Sequence, residues 1–297
     1  MVNGIINIYK EKGYTSFDVV ARMRGITHQK KIGHTGTLDP DAEGVLPVCL
    51  GKATKVCDLL TDKDKEYETV LLLGVMTDTQ DVTGQTLAEH PVDVTGQEVT
   101  AVIVSFLGAY DQIPPMYSAL KVDGQKLCDL ARKGVTVERK ARRVEIHAIE
   151  ILSMELPRVR MRVHCSKGTY IRTLCQDIGE KLGCYGCMES LLRTRVAGFT
   201  LDKAHKLSEV EELFSKGREA EILYPTDTIF DRYKKCYAVK EAAKLLENGN
   251  RIPADLIPDA GREASPIRLY SDADRFIGIY AYQNEQDDYK PIKIFME

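Results

Sequence analysis

The sequence has no run approaching the roughly 20 consecutive apolar residues that a membrane-crossing helix needs, which excludes such a span. Its first residues, Met1-Val2-Asn3-Gly4, lack the basic-then-apolar plan of a secretion signal, so a cytoplasmic location is expected. Cysteine is sparse: eight in 297 residues are too few for a disulfide scaffold, and free thiols are expected. Cys184-Tyr185-Gly186-Cys187 has C-x-x-C spacing, but no second such pair and no paired histidines complete a zinc tetrahedron. Ser-His-Asp order, H-E-x-x-H and phosphate-cradling glycine motifs are all missing. Neither a metal nor a cofactor is expected.

An excess of positive charge is missing as well. With 41 Lys+Arg against 44 Asp+Glu the formal charge is −3, which by itself gives no sign of a nucleic-acid partner. The average conceals an uneven distribution. Residues 61–100 carry 2 basic and 9 acidic side chains, whereas residues 101–200 carry 16 and 10. Within the latter, residues 118–143 hold 8 basic and 3 acidic groups, a patch able to follow a phosphate backbone.

Along the chain, residues 3–9 read as a strand, and Thr15-x-x-Asp18 is a capping box ahead of a helix ending near Gly25. Lys30 to Ala53, with four glycines and two prolines, reads as a long shaped loop of the kind that carries function. Residues 67–75 form an expected strand and 97–107 a helix behind Thr95-x-x-Glu98. Asp123-Gly124 marks a hairpin turn. Residues 158–166 alternate, with Val159, Met161, Val163 and Cys165 on one face and Arg158, Arg160, Arg162 and His164 on the other, giving a half-buried strand with a basic outer face. A helix then opens at Thr169-Tyr170, with an apolar stripe of Ile171, Leu174, Cys175, Ile178 and Leu182, and stops at Gly183. Residues 201–230 are acidic and helical in character. A boundary is expected near 230, with 1–230 as the main domain and 231–297 as a small one docked on it, carrying a helix at 238–247.

Two residues stand out chemically. Pro40 keeps Asp39 extended while Gly33, Gly36 and Gly44 permit bends around it, so one carboxylate is fixed in a shaped loop. Arg172 lies in the first turn of its helix, against the helix dipole, and needs an anion there: a carboxylate such as Asp39, or a phosphate.

The stretch G-H-T-G-T-L-D-P-D-A-E-G-V-L-P-V-C-L-G-K-A-T-K (33–55) resembles the catalytic loop of the TruB-type tRNA pseudouridine synthases of bacteria. D-K-E-Y (64–67), I-P-P-M-Y-S-A-L-K (113–121), H-C-S-K-G-T-Y-I-R-T (164–173), D-I-G-E-K-L-G-C (177–184) and L-L-R-T (191–194) follow in that family's order. The resemblance implies an α+β pseudouridine-synthase fold, with a mixed, mostly antiparallel central sheet flanked by helices and loops. It further implies a small β-rich, PUA-like RNA-binding domain at the C-terminus. The implied reaction is isomerisation of one tRNA uridine, position 55 of the T loop, by base flipping, glycosidic cleavage and C–C rejoining, in a monomer that binds the T stem-loop.

The same resemblance makes Asp39 the nucleophile or base that opens the reaction. Tyr67 would stack on the uracil and accept a proton, and Arg172 would pair with Asp39 and keep it ionised. Tyr170 would pack beside the uracil, Leu191 close the apolar wall, and His34 contact the flipped nucleotide or fill its gap. Lys10 matches the lysine of a K-P-x-G motif, with Glu11 in place of the proline. The alternatives are a non-catalytic tRNA-folding chaperone using the same T-loop grip, and a guide-dependent pseudouridine synthase of the same fold.

Overall fold

The computed structural model describes residues 1–262 and 265–296. Its main sheet has ten strands, eight of them in the spatial order Leu223–Tyr224, Gly4–Lys10, Glu43–Leu50, Gly186–Val196, Lys65–Leu73, Arg158–Cys165, Arg142–Glu155 and Gly108–Gln112. Glu43–Leu50 and Gly186–Val196 run parallel; the other neighbours on this path are antiparallel. The sheet is therefore mixed and mostly antiparallel, as expected.

Side-chain alternation decides which face each strand buries. Lys65–Leu73 buries every second residue, Tyr67 among them, and Arg158–Cys165 buries Val159, Met161, Val163 and Cys165 as its pattern requires. The helix Ile171–Leu182 lays Ile171, Leu174, Cys175 and Ile178 onto that buried face and ends at Gly183 in the left-handed conformation.

Several boundaries differ from the sequence reading. Ser16–Thr27 has the full Thr15/Asp18 capping box but runs past Gly25 and ends at a left-handed His28. One interior glycine costs about 1 kcal/mol, less than the burial of Val19, Val20 and Met23 returns. Within the loop expected from Lys30 to Ala53, Ile32–His34 and Glu43–Leu50 are strands that pair with each other, and residues 35–42 form the irregular stretch between them. The strand expected at 67–75 lies at Lys65–Leu73, and the helix expected at 97–107 at Gly96–Val104.

A second, five-stranded sheet occupies Lys234–Ile294. The helix expected at 238–247 is a 3-10 turn, Lys240–Ala242, followed by one helical turn, Ala243–Glu247. An apolar cluster joins the two sheets: Ile5 and Val45 of the first, with Val56 from the 3-10 turn that follows Glu43–Leu50, meet Phe230, Ile279 and Phe295. Glu297, the expected end of the small domain, lies outside the described residues.

Candidate active site

The loop at residues 35–42 is held from beneath through its own carbonyls. Arg193 donates to the oxygens of Gly36 at 3.3 Å and Thr37 at 3.5 Å, and also to Val45 at 2.8 Å. The Ser16 hydroxyl takes the Leu38 amide at 2.9 Å and reaches its oxygen at 3.3 Å. The Ala42 amide closes on the Asp39 oxygen at 3.1 Å. Lys10 donates to the oxygens of Pro40 at 3.2 Å and Ala42 at 2.6 Å. Leu38 and Ala42 anchor the loop in the main apolar core. The carbonyls of Gly36, Thr37, Leu38, Asp39, Pro40 and Ala42 thus each have a donor, which restrains the shape of the loop.

Asp39 projects from this loop into a cavity of about 520 Å³. Arg172, 6% exposed, places Nε 3.1 Å from the Asp39 carboxylate. The same guanidinium lies 3.5 Å from Asp81 and donates to the carbonyls of Thr79 at 2.9 Å and Tyr117 at 2.8 Å. One arginine therefore ties together the Asp39 loop, the turn at Thr79–Asp81 and the segment at Tyr117. Asp81 is itself fixed by Thr79 and by the amide and hydroxyl of Thr83.

The electrostatics modify one expectation. Burial lifts the Asp39 carboxyl above its ordinary range; Arg172 opposes this, and Asp81 adds to the rise. Arg172 thus limits the shift without reversing it.

Tyr67 and Leu191 line the cavity on adjacent strands, with Tyr170 at the N-terminus of the Ile171–Leu182 helix. The Tyr170 backbone is clamped by Gln112, whose side chain accepts from its amide at 2.8 Å and donates to its carbonyl at 3.0 Å. Burial raises the Tyr67 phenol, with Arg193 pulling the other way. Arg142, Arg143 and Lys167 stand on the wall of the same cavity.

Two expected substrate contacts lie elsewhere. Lys10 is fully buried and absent from the cavity wall, because its ammonium is spent on the carbonyls of Glu11, Pro40 and Ala42. Burial lowers its pKa to about 8. It supports the loop from beneath, and Glu11 in place of a proline leaves that role intact because only its carbonyl is used. His34 sits half-buried on Ile32–His34, where its Nδ1 accepts from the Gly36 amide at 3.3 Å, also off the cavity wall.

The basic face of Arg158–Cys165 is not free for phosphates. Arg158 pairs with Glu189 at 2.8 Å, Arg160 with Glu68 at 2.6 Å, and Arg162 with Glu68 at 2.8 Å and Glu150 at 2.7 Å. By contrast Lys121, Lys126, Lys133, Lys140 and Arg142 have no ion-pair partner among the described residues and are exposed. Cys184 and Cys187 are buried free thiols.

Arg193 and Asp81 were not singled out by the sequence reading. Arg193 carries no local signal in the sequence: Gly186–Val196 does not alternate apolar and polar residues, and the burial of the arginine appears only once the neighbouring strands are in place. Gly44 is its counterpart: at φ +107, its Cβ would lie 2.2 Å from the Arg193 carbonyl across the parallel pair.

Residues 24–171 match the family described as "TruB family pseudouridylate synthase (N terminal domain)", and residues 172–231 match "tRNA pseudouridylate synthase B C-terminal domain". The tRNA pseudouridine synthase B of Lachnoclostridium phytofermentans is 54% identical, covering 99% of this chain and all of the relative. That of Alkaliphilus oremlandii is 44% identical, covering 99% and 97%. Among solved structures, a chain from the crystal structure of a Cbf5-Nop10-Gar1 complex superposes with a TM-score of 0.73 at 27% identity, covering 99% of this chain and 85% of that one.

Proposed function

The chain belongs to the TruB family of pseudouridylate synthases and isomerises uridine in tRNA, and we propose that its target is the T-loop uridine at position 55, converted in the cavity beneath Asp39. The observation that carries the reading is the 3.1 Å contact between the Asp39 carboxylate and the Arg172 guanidinium on the wall of that cavity, beside Tyr67.

The reaction breaks the bond between ribose C1′ and uracil N1, turns the base, and forms a bond from C1′ to C5. N1 gains a proton and C5 loses one, so composition is unchanged. A stacked base cannot turn, so the nucleotide must leave the helix and enter the pocket. Tyr67, Tyr170 and Leu191 supply apolar and aromatic walls against which the uracil stacks. Asp39 opens the reaction. It is the one cavity carboxylate, among the described residues, backed by a buried guanidinium, and its raised pKa makes it a stronger nucleophile or base than an exposed aspartate.

Tyr67, like any tyrosine of ordinary pKa, is a neutral phenol at neutral pH, and burial moves it further in that direction. Its hydroxyl therefore passes the C5 proton on rather than holding it as a resting base would. Arg172 orients Asp39 while fastening the two neighbouring segments, and Arg142, the cavity-wall cation without an ion-pair partner among the described residues, contacts a phosphate flanking the flipped nucleotide. Residues 1–230 carry the chemistry, and residues 231–297 extend the grip on tRNA in a monomeric enzyme.

The test is to map pseudouridine in a T-stem-loop RNA incubated with the protein or with Asp39→Asn. A single modified position that the variant fails to produce supports the reading. Normal turnover by Asp39→Asn, or modification spread over other loops, overturns it.

A further inference from the structure

We infer that Asp64, His147 and His164 form a zinc site on the outer face of the main sheet, beside the rim of the cavity. Their donor atoms lie within 4.8 Å of one another. Tetrahedral zinc with bonds of about 2.0–2.1 Å sets its ligands about 3.3 Å apart, so modest side-chain rotation closes the set. Two imidazoles and one carboxylate favour zinc among the cations that oxygen-rich sites would compete for.

Three adjacent strands supply the three groups. Asp64 immediately precedes Lys65–Leu73, and His164 stands opposite Glu66 on Arg158–Cys165. Asp64, two residues before Glu66, points to the same face. On Arg142–Glu155 the register slips between Ile146 and Ala148, making His147 the extra residue of a β-bulge. His147 and Ala148 thus both oppose His164, and the two imidazole centroids are 4.9 Å apart. Bulges of this kind re-aim a side chain, and here the result is a histidine pair.

Two further observations distinguish the trio from ordinary surface polarity. Glu66, Glu68 and Glu150 on this face are each taken by an arginine: Arg195 at 3.4 Å, Arg160 at 2.6 Å and Arg162 at 2.7 Å respectively. Asp64 has no lysine or arginine partner among the described residues; its ion-pair contact is His147 Nε2 at 3.4 Å. On the other side of the same ring, Glu145 lies 3.8 Å from Nδ1. A carboxylate on that side would, after a small side-chain adjustment to hydrogen-bond distance, favour the proton on Nδ1 and leave Nε2 to bind metal, the arrangement that orients ligating histidines.

Three protein ligands leave the fourth position to water. Bound zinc would cross-link three strands next to Asp62 and Ser166, which line the cavity. The C-x-x-C pair that drew attention in the sequence contributes nothing to this set.

The test is calorimetric titration of the chelator-treated full chain with zinc chloride, with thermal unfolding followed in parallel. One zinc per chain is expected, with a rise in Tm, and His147→Ala and His164→Ala should each weaken binding at least tenfold and abolish the Tm rise. Cobalt substituted for zinc should give visible absorption without thiolate-to-metal charge transfer. Absence of saturable zinc binding overturns the inference. So does zinc binding that both variants retain, or a thiolate band that assigns the metal to cysteine. Both histidines lie outside the reaction cavity, so pseudouridine formation by the unliganded protein gives a separate check that the variants are folded.

Discussion

Arg193 stands directly opposite Tyr67 across the antiparallel pair, and only 1% of its surface meets solvent. A fully buried guanidinium thus lies between the Asp39 loop and the tyrosine that floors the cavity. Replacing it with methionine keeps the volume but strips donors from the carbonyls of Gly36, Thr37 and Val45. We expect Arg193→Met to lose about 2–4 kcal/mol of stability by chemical denaturation. Turnover should fall with it, because the Asp39 loop loses a support. Unchanged stability would show that those carbonyls find other donors.

Arg172→Ala should lower kcat by about 100- to 1,000-fold, in line with the loss of a preorganised electrostatic contact. The dissociation constant for T-stem-loop RNA should change far less. Arg172→Lys should restore little, because an ammonium cannot reach Asp39, Asp81 and two carbonyls together. An affinity loss equal to the kcat loss would instead make Arg172 a phosphate clamp.

The salt dependence of tRNA binding should be set by free cations alone. Arg142→Ala and Lys133→Ala should each reduce the slope of log K against log salt by about one if each contacts one phosphate. Arg160→Ala should leave the slope alone, since Arg160 is already neutralised by Glu68. Fluorescence-anisotropy titrations at several salt concentrations decide between the two sets.

Asp177 offers a stability signal independent of catalysis. Burial, with Glu180 adding to it, lifts its carboxyl to about 7. The folded state therefore binds a proton that the unfolded chain releases. Its stabilising contribution is complete below the ordinary carboxylate range and is lost as pH rises through about 7. Asp177→Asn should flatten that decline, raising Tm at pH 8 relative to wild type more than at pH 5. Parallel Tm curves for the two proteins would refute the shift.

Lys10→Met should destabilise the protein and slow turnover together without altering RNA affinity beyond about threefold, since buried carbonyls left without donors cost about 1–3 kcal/mol. A selective loss of RNA binding would return Lys10 to the role of substrate contact.

The sequence was most informative where one interaction dominates locally. The capping boxes at Thr15 and Thr95, the stop at Gly183 and the alternation from Arg158 to Cys165 all depend on neighbours within a few residues. Asp39 and Arg172 could be paired because their types and an adverse helix dipole demanded a counter-charge. What escaped depends on distant partners. The arginines at 158, 160 and 162 read as free cations until Glu68, Glu150 and Glu189 arrive from other strands. Lys10 was expected to bind substrate from its match to a family motif, whereas the carbonyls of Glu11, Pro40 and Ala42 enclose its ammonium. The loop at 30–53 read as irregular because its glycines and prolines suppress strand propensity, whereas pairing with Gly4–Lys10 imposes a strand on Glu43–Leu50 all the same.

The cluster joining Ile5, Val45 and Val56 to Phe230, Ile279 and Phe295 packs the two sheets against each other through apolar contact. On the proposed reading, in which residues 231–297 extend the grip on tRNA, that packing acts as a calliper set at one opening, with the span from the Asp39 cavity to the second sheet set by the protein.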